Sequence, residues 1–275
     1  MSVEEDITYE VRERTTIITL RLPKKLNALT SAHYLRLGKL VQEADEEEDT
    51  VATIIQSTGK YFSAGANFAD KEIMLAKPEE LFSHEFWFQR FVGRNVWITD
   101  LFHNHTKILV AALNGPVIGL SAALVALCDL VYVKDLSSTY LLAPFSNLGL
   151  VCEGASSSTL FLRLGWSVSS EALLLAKPIY GKTLDKVGLV NESFDGQFAT
   201  TEEFNAHIEK KLYEAYKDLH EPSIFFNKQL LKANRDELIN SANSREVIKG
   251  LNKWIEGVPQ SRFAQLAQKD VQHKL

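Results

Sequence analysis

The chain has 275 residues, of which 45% are hydrophobic and 24% are charged, a composition typical of a soluble globular protein. A net charge of −5 disfavours nucleic-acid binding, and no apolar stretch reaches the roughly 18 residues that a membrane-spanning helix requires. Cys128 and Cys152 lie in apolar segments without metal-ligand spacing, so we expect neither a metal site nor a disulfide framework.

The first quarter of the chain predicts two strands, a helix and a third strand. Residues 7–22 predict a β-hairpin, because apolar and polar residues alternate and the second half is rich in β-branched side chains. Pro23 ends the second strand. A helix follows, with Thr30 or Ser31 as its N-cap. Residues 51–56 predict the next buried strand.

A segment of small residues follows that third strand. Ser63-Ala64-Gly65-Ala66 exposes backbone rather than side chain. Two interpretations stay open from the residues alone. The segment is either a plain tight turn, or a source of one backbone N–H for a bound oxygen.

Residues 71–105 predict helices rich in aromatic side chains. Pro78 is placed as the first residue of a helix, and apolar residues recur after it at helical spacing. Most of the aromatic residues predict core packing, although some are candidates to line a pocket. Asn95 is a polar residue within this apolar pattern. His103 and His105 predict a helix end rather than a metal site.

The centre of the sequence is a buried strand that ends on glycine and opens a helix. Residues 108–113 form the apolar run, Gly115-Pro116 and Gly119 break it, and a small-residue helix follows over 120–127. The first N–H groups of a helix have no partner within it. Together with the positive end of the helix dipole, they suit an anion or a developing oxyanion.

Glu153 is the candidate acid–base residue. Its neighbours, Leu150-Val151-Cys152 before and Gly154-Ala155 after, carry no charge. A carboxylate in apolar surroundings has a raised pKa and serves as a base and then as an acid near neutral pH. The alternative is a surface glutamate on a loop, since glutamate is mostly exposed.

In the second half of the chain, the predicted secondary structure changes at Thr201 from mixed strands and helices to helices alone. Strands are predicted at 130–133 and 139–142, followed by a helix over 156–164 that Gly165 closes. From residue 201 onward the pattern is helical throughout. We therefore divide the chain into a core over 1–200 and a helical region over 201–275, and we expect the helical region to dock on a neighbouring copy.

Five short motifs occur in an order and spacing that resemble the enoyl-CoA hydratase/isomerase (crotonase) family over roughly residues 7–260. The resemblance implies an α/β fold, namely a crotonase-like spiral of ββα units with a C-terminal helical trimerisation region. It also implies an acyl-CoA substrate and assembly as a trimer or a dimer of trimers. The motifs are Phe62-Ser63-Ala64-Gly65-Ala66, Asn114-Gly115-Pro116…Gly119, Cys128-Asp129-Leu130, Asn147-Leu148-Gly149 and Gly188-Leu189-Val190-Asn191.

The resemblance also implies roles for individual residues. The backbone N–H groups of Ala66 and Leu120 would form an oxyanion hole, Glu153 would be the catalytic acid–base, and Asn95 would support it. Asn67 stands where the family usually has aspartate, which puts the hydrogen bonding of that loop in question. The expected substrate-binding residues are Ala64, Gly65, Ala66, Asn67, Phe68, Leu120, Ala28 and Lys25, with Lys25 either facing the CoA phosphates or solvated.

Within the family, residues 91–96, 120–129 and 153–154 most resemble the fungal peroxisomal Δ3-Δ2-enoyl-CoA isomerases. This implies a one-base shuttle of a proton from C2 to C4, with CoA as part of the substrate and no separate cofactor. Ala123 and Phe145 stand where hydratases carry their two glutamates, so hydration is disfavoured.

Several alternatives remain. The chain is a candidate dienoyl-CoA isomerase, another non-hydratase relative, or a non-catalytic family member. A serine hydrolase is a further alternative, because Gly119-Leu120-Ser121-Ala122-Ala123 lies between a strand and a helix as a nucleophile elbow does.

The last three residues are His273, Lys274 and Leu275. They resemble the Ser-Lys-Leu type of peroxisomal address. With the family resemblance, this tripeptide predicts the peroxisomal matrix as the location and the peroxisomal import receptor as a partner.

Overall fold

The computed structural model describes residues 3–67, 70, 73 and 75–271. One sheet has the strand order β1-β2-β3-β4-β6-β9, with β1 antiparallel to β2 and the other pairs parallel; a second sheet has the order β5-β7-β8. The strands are β1 (Ile7–Arg12), β2 (Thr15–Leu20), β3 (Ala52–Ser57), β4 (Ile108–Leu113), β5 (Val117–Ile118), β6 (Leu130–Val133), β7 (Tyr140–Leu142), β8 (Ile179–Tyr180) and β9 (Glu192–Ser193).

Helices follow most of these strands and fill the last quarter of the chain. A π-helical segment over Phe88–Gly93 joins two of them. The helices are α1 (Val3–Asp6), α2 (Ser31–Glu46), α3 (His84–Trp87), α4 (Arg94–Asn104), α5 (Leu120–Leu127), α6 (Ser156–Leu174), α7 (Gly181–Lys186), α8 (Thr201–Tyr216), α9 (Glu221–Ala233), α10 (Asp236–Ile255) and α11 (Val258–Ala267).

Most of the predicted elements are present at the predicted positions. The hairpin, the strand β4 and the helix α5 are confirmed, and Thr30 is the N-cap of α2, accepting a hydrogen bond from the backbone N–H of His33. The prediction that Pro78 begins a helix is wrong. Pro78 lies in a turn, and the α-helix begins at His84 because Ser83 is extended and caps it.

The main sheet is buried on both faces, which explains why its strands read as continuous apolar runs. On one face, Ile55, Leu109 and Ala111 pack in the core beneath α2, α5 and α6. On the other face, Ile54, Val110 and Ala112 pack against α8. This second face is covered by the C-terminal region of the same chain.

The helix α10 packs against the segment that precedes α4. Trp254 of α10 stacks on Trp87 with 4.0 Å between ring centroids, and Val247 and Leu251 join the same apolar cluster. The division of the chain at residue 201 stays a prediction, and the described part of 201–271 is helical. Among the described residues, the helices are too short or too polar to cross a bilayer.

Candidate active site

A cavity of about 460 Å³ lies between the loop after β3, the start of α5 and the helix α10. Its walls are mostly apolar, with Glu153 and Arg94 as their titratable side chains among the described residues. Many of the residues predicted from the sequence meet here. The lining includes Ala28, Ala64, Gly65, Ala66, Asn67, Gly119, Leu120, Phe145 and Glu153.

Two backbone loops, 63–66 and 117–120, form one wall of the cavity. A bridge pairs Ser63 with Val117, and the N–H of Ile118 donates to the carbonyl of Ser63 at 3.0 Å. Gly65 has a φ of +81°, and a Cβ there would lie 2.7 Å from the carbonyl oxygen of Ile118. Because the backbones approach this closely, position 65 requires glycine.

Each loop presents a backbone N–H without a backbone partner. The N–H of Asn67 donates to the carbonyl of Leu29 and the N–H of Leu29 donates to Gly65, so the N–H of Ala66 points away from that pairing. Leu120 is the first residue of α5, where no intrahelical acceptor exists. Within the described part of the chain neither N–H donates to another backbone group. Two such donors beside a cavity suit an oxygen that gains negative charge.

Glu153 is buried, with 7% of its surface exposed, and it lines the cavity. The surface alternative is therefore wrong. Burial is the main reason that the pKa of its carboxyl is raised from 4.5 to about 7, and Glu246 raises it further. The charge of Arg94 and the hydrogen bond from Asn95 act in the opposite direction. Such a carboxyl exchanges a proton readily near neutral pH.

Asn95 is buried and donates from Nδ2 to Glu153 Oε2 at 2.8 Å. Its Oδ1 accepts from Nε and Nη2 of Arg94 at 3.0 and 2.8 Å. Because a guanidinium only donates, Arg94 fixes the amide so that its NH₂ group faces the carboxylate. Nη1 of Arg94 donates in turn to Ser31 Oγ at 2.9 Å, which ties this pair to α2.

A second buried carboxyl holds the turn that carries Glu153. Oε1 of Glu246 on α10 accepts from the N–H of Ser157 at 2.8 Å, at the start of α6. Gly154 and Ala155 both have positive φ, 66° and 57°, so the turn between Glu153 and α6 is tight. Burial raises the pKa of Glu246 to about 7. The helix α10 therefore helps to support the candidate base.

Several predicted residues lie elsewhere. Lys25 is exposed and does not line the cavity, so its contact with substrate stays a prediction. Phe68 lies outside the described residues. Ser121 is buried, and its hydroxyl bonds to Ser63 and Tyr34 and does not line the cavity, which leaves the serine hydrolase without an accessible nucleophile.

Sequence reasoning missed Arg94, Leu148 and Trp254 as cavity-lining residues. An arginine next to Asn95 in an apolar helical pattern was a usable signal for the first of them. Trp254 gives no such signal, because it lies in a polar helix about 100 residues beyond Glu153 in the sequence and reaches the cavity only through long-range packing.

The chain is similar to known proteins in both sequence and fold. The model of the family described as enoyl-CoA hydratase/isomerase matches residues 10–259. A protein of Saccharomyces cerevisiae named 3,2-trans-enoyl-CoA isomerase is 42% identical over 98% of this chain and 97% of its own. A protein of Pyricularia oryzae named Delta(3,5)-Delta(2,4)-dienoyl-CoA isomerase is 37% identical over 98% of both chains. An enoyl-CoA hydratase/isomerase structure from Pseudoalteromonas atlantica has a TM-score of 0.80 at 21% identity, covering 96% of this chain and 97% of its own, and shows the fold.

The two buried carboxyls predict how stability depends on pH. Both have folded pKa values near 7 against an ordinary value of 4.5, so the folded state binds more protons than the unfolded state between these values. The free energy of unfolding should therefore fall as pH rises through this window. Glu153→Gln and Glu246→Gln should each flatten this dependence. Each should remove on the order of 3 kcal/mol from the change in unfolding free energy across the window, for a pKa shift of this size.

Denaturant unfolding at a series of pH values measures the effect. Glu171→Gln is the matched control, because Glu171 is exposed and its substitution should leave the slope unchanged. The prediction would be contradicted if the free energy of unfolding of both buried-site variants changed with pH as steeply as that of the unmodified chain.

Proposed function

The chain belongs to the enoyl-CoA hydratase/isomerase family, and on that premise we propose that it is a Δ3-Δ2-enoyl-CoA isomerase. It would convert 3-enoyl-CoA thioesters to trans-2-enoyl-CoA in the β-oxidation of unsaturated fatty acids. The observation that carries the proposal is Glu153, a buried carboxyl with a pKa of about 7 in the cavity that Ala66 and Leu120 also line. The backbone N–H groups of Ala66 and Leu120 donate to no other backbone group among the described residues.

The proposed reaction is a proton shift along three carbons. The thioester oxygen accepts hydrogen bonds from the N–H groups of Ala66 and Leu120, which lowers the energy of the enolate by about 3 kcal/mol per donor. The carboxylate of Glu153 removes a proton from C2, and the electron pair delocalises over C2, C3 and C4. The same carboxyl then returns the proton to C4, which leaves the double bond between C2 and C3. Every step is a proton transfer, so no redox cofactor takes part.

The apolar residues Ala123 and Phe145 favour isomerisation over hydration. Addition of water needs a second group that holds and activates the water molecule. By the family resemblance, Ala123 and Phe145 stand where hydratases carry their two glutamates. Phe145 lines the cavity, and Ala123 packs against Gly154, where an added Cβ would lie 2.7 Å from the Ala123 methyl group. Neither side chain can activate water.

A dienoyl-CoA isomerase is the second candidate, because the relative from Pyricularia oryzae carries that name at 37% identity. Conversion of a 3,5-dienoyl to a 2,4-dienoyl thioester removes a proton from C2 and adds one at C6, four carbons away. Among the described residues that line the cavity, Glu153 is the single carboxyl. One carboxyl suits a shift between C2 and C4 better than one between C2 and C6.

Substitution of the base tests the proposal. Glu153→Gln should lower kcat by roughly 10²- to 10⁴-fold with 3-hexenoyl-CoA and 3-dodecenoyl-CoA, because the amide cannot accept the C2 proton. In the unmodified enzyme, kcat/KM should rise with pH through an apparent pKa near 7, since the base must be deprotonated. Formation of the conjugated thioester is the measurement, and Glu171→Gln is the control. Retained activity in Glu153→Gln, or faster turnover of a 3,5-dienoyl-CoA, would contradict it.

We also propose self-association as a trimer or a dimer of trimers. The exposed face of α9 supports this, because Phe226, Leu230 and Leu231 expose 61%, 70% and 74% of their surfaces. Large adjoining apolar side chains on a surface mark a contact site.

The double substitution Leu230→Glu with Leu231→Glu should shift the sedimentation mass from three or six chains to one, because it places charge in the apolar contact. Val11→Glu, at an exposed apolar position on β1, is the control and should keep the assembly. A single-chain mass for the unmodified protein would contradict the proposal.

Import into the peroxisomal matrix is proposed from the tripeptide His273-Lys274-Leu275, which lies outside the described residues. Its resemblance to Ser-Lys-Leu supports recognition by the import receptor. A fluorescent fusion at the N-terminus should be punctate in cells, and deletion of the three residues should leave it in the cytosol. Punctate import of the truncated fusion would contradict the proposal.

A further inference from the structure

Three buried hydroxyl groups join α2, α5 and the loop after β3 behind the cavity. Tyr34 Oη lies 3.0 Å from Ser121 Oγ, and Ser121 Oγ lies 2.9 Å from Ser63 Oγ. Ser63 Oγ lies 2.8 Å from the carbonyl of Asn27 and accepts from the N–H of Gly65 at 3.1 Å. Tyr34, Ser63 and Ser121 are all buried, and none of them lines the cavity.

The direction of every proton in this chain of hydrogen bonds is fixed. A serine hydroxyl has one proton and two acceptor sites. The carbonyl of Asn27 only accepts, so Ser63 donates to it and accepts from Gly65 and Ser121. Ser121 has then used its proton, and Tyr34 must donate to it. Burial raises the pKa of Tyr34 to about 12, which keeps the phenol protonated as the first donor.

The three hydrogen-bonded hydroxyl groups lie next to both loops that carry the N–H groups of Ala66 and Leu120. Ser121 directly follows Leu120, whose N–H opens α5. Ser63 holds the N–H of Gly65, the residue before Ala66. Loss of the Ser121 hydroxyl would remove this side-chain link, leave the loops joined by their backbone hydrogen bonds, and leave an acceptor site of Ser63 and the Tyr34 proton without partners.

We propose that Ser121, with Tyr34 and Ser63, is a positioning residue that holds the N–H groups of Ala66 and Leu120 at the spacing that a thioester oxygen requires. This inference rests on the proposed function of those N–H groups as an oxyanion hole. It assigns Ser121 a role in aligning the donors and not in attacking the substrate.

Ser121→Ala should lower kcat roughly 10- to 100-fold with little change in KM, the penalty expected when catalytic groups are displaced by a fraction of an ångström to about 1 Å. Tyr34→Phe, which removes only the first donor, should give a smaller fall in the same direction. Ser169→Ala is the matched control, because Ser169 has a buried hydroxyl without a hydrogen-bond partner in the described residues and lies away from the cavity. It should keep the kcat of the unmodified enzyme.

The vibrational spectrum of a bound thioester distinguishes a loss of N–H donor alignment from a loss of protein stability. Trans-2-hexenoyl-CoA labelled with ¹³C at C1 should show a lowered carbonyl stretch in the unmodified enzyme, because the two N–H groups polarise the bond. In Ser121→Ala the frequency should move towards that of the free thioester, and in Ser169→Ala it should not. If Ser121→Ala does not fold, the same comparison is made with Tyr34→Phe.

An unchanged carbonyl frequency in the folded variant would overturn the inference, whether or not kcat falls. The measurement uses a bound thioester and not turnover. An enzyme that fails to isomerise 3-enoyl-CoA but polarises the bound carbonyl would therefore refute the proposed function and leave this inference standing.

Discussion

The structure depends on keeping one carboxyl, that of Glu153, in an apolar cavity where it forms no direct ion pair with a described residue. Burial of an unpaired carboxylate is costly, and the usual result is a raised pKa. Here Asn95 places a neutral donor against the carboxylate, while the positive charge of Arg94 acts through that amide. A guanidinium in direct contact would favour the charged form and lower the pKa. Burial outweighs both the hydrogen bond from Asn95 and the charge of Arg94, so the pKa stays near 7, where a carboxyl can both accept and return a proton.

The site also has two backbone N–H donors beside the cavity, and the fold of the backbone provides them. Two loops from distant parts of the chain lie side by side, and each ends with an N–H that its own secondary structure cannot use. The close approach depends on Gly65, and the start of α5 depends on Gly119, which has a φ of 63° and a ψ of −133° that disfavour side chains. Backbone donors fixed in this way need no reorganisation when negative charge develops.

The sequence predicted those features that depend on residues close together along the chain. The strand β4 and the helix α5 follow from an apolar run, a glycine break and a small-residue helix, and Thr30 follows from its capping chemistry. The burial of Glu153 was not decided by its neighbours alone, because α10 and the segment before α4 enclose it. The start of the helix near Pro78 was misjudged because Ser83, five residues later, supplies the stronger cap. Contacts between distant segments leave little trace in local periodicity.

The C-terminal region has two faces with different consequences for the site. Through Trp254 and Glu246, α10 completes the cavity wall and holds the turn behind Glu153 within the same chain. Through Phe226, Leu230 and Leu231, α9 leaves an apolar surface uncovered. The described walls of the cavity therefore come from one chain, and the exposed apolar side chains of α9 are not among the residues that line it.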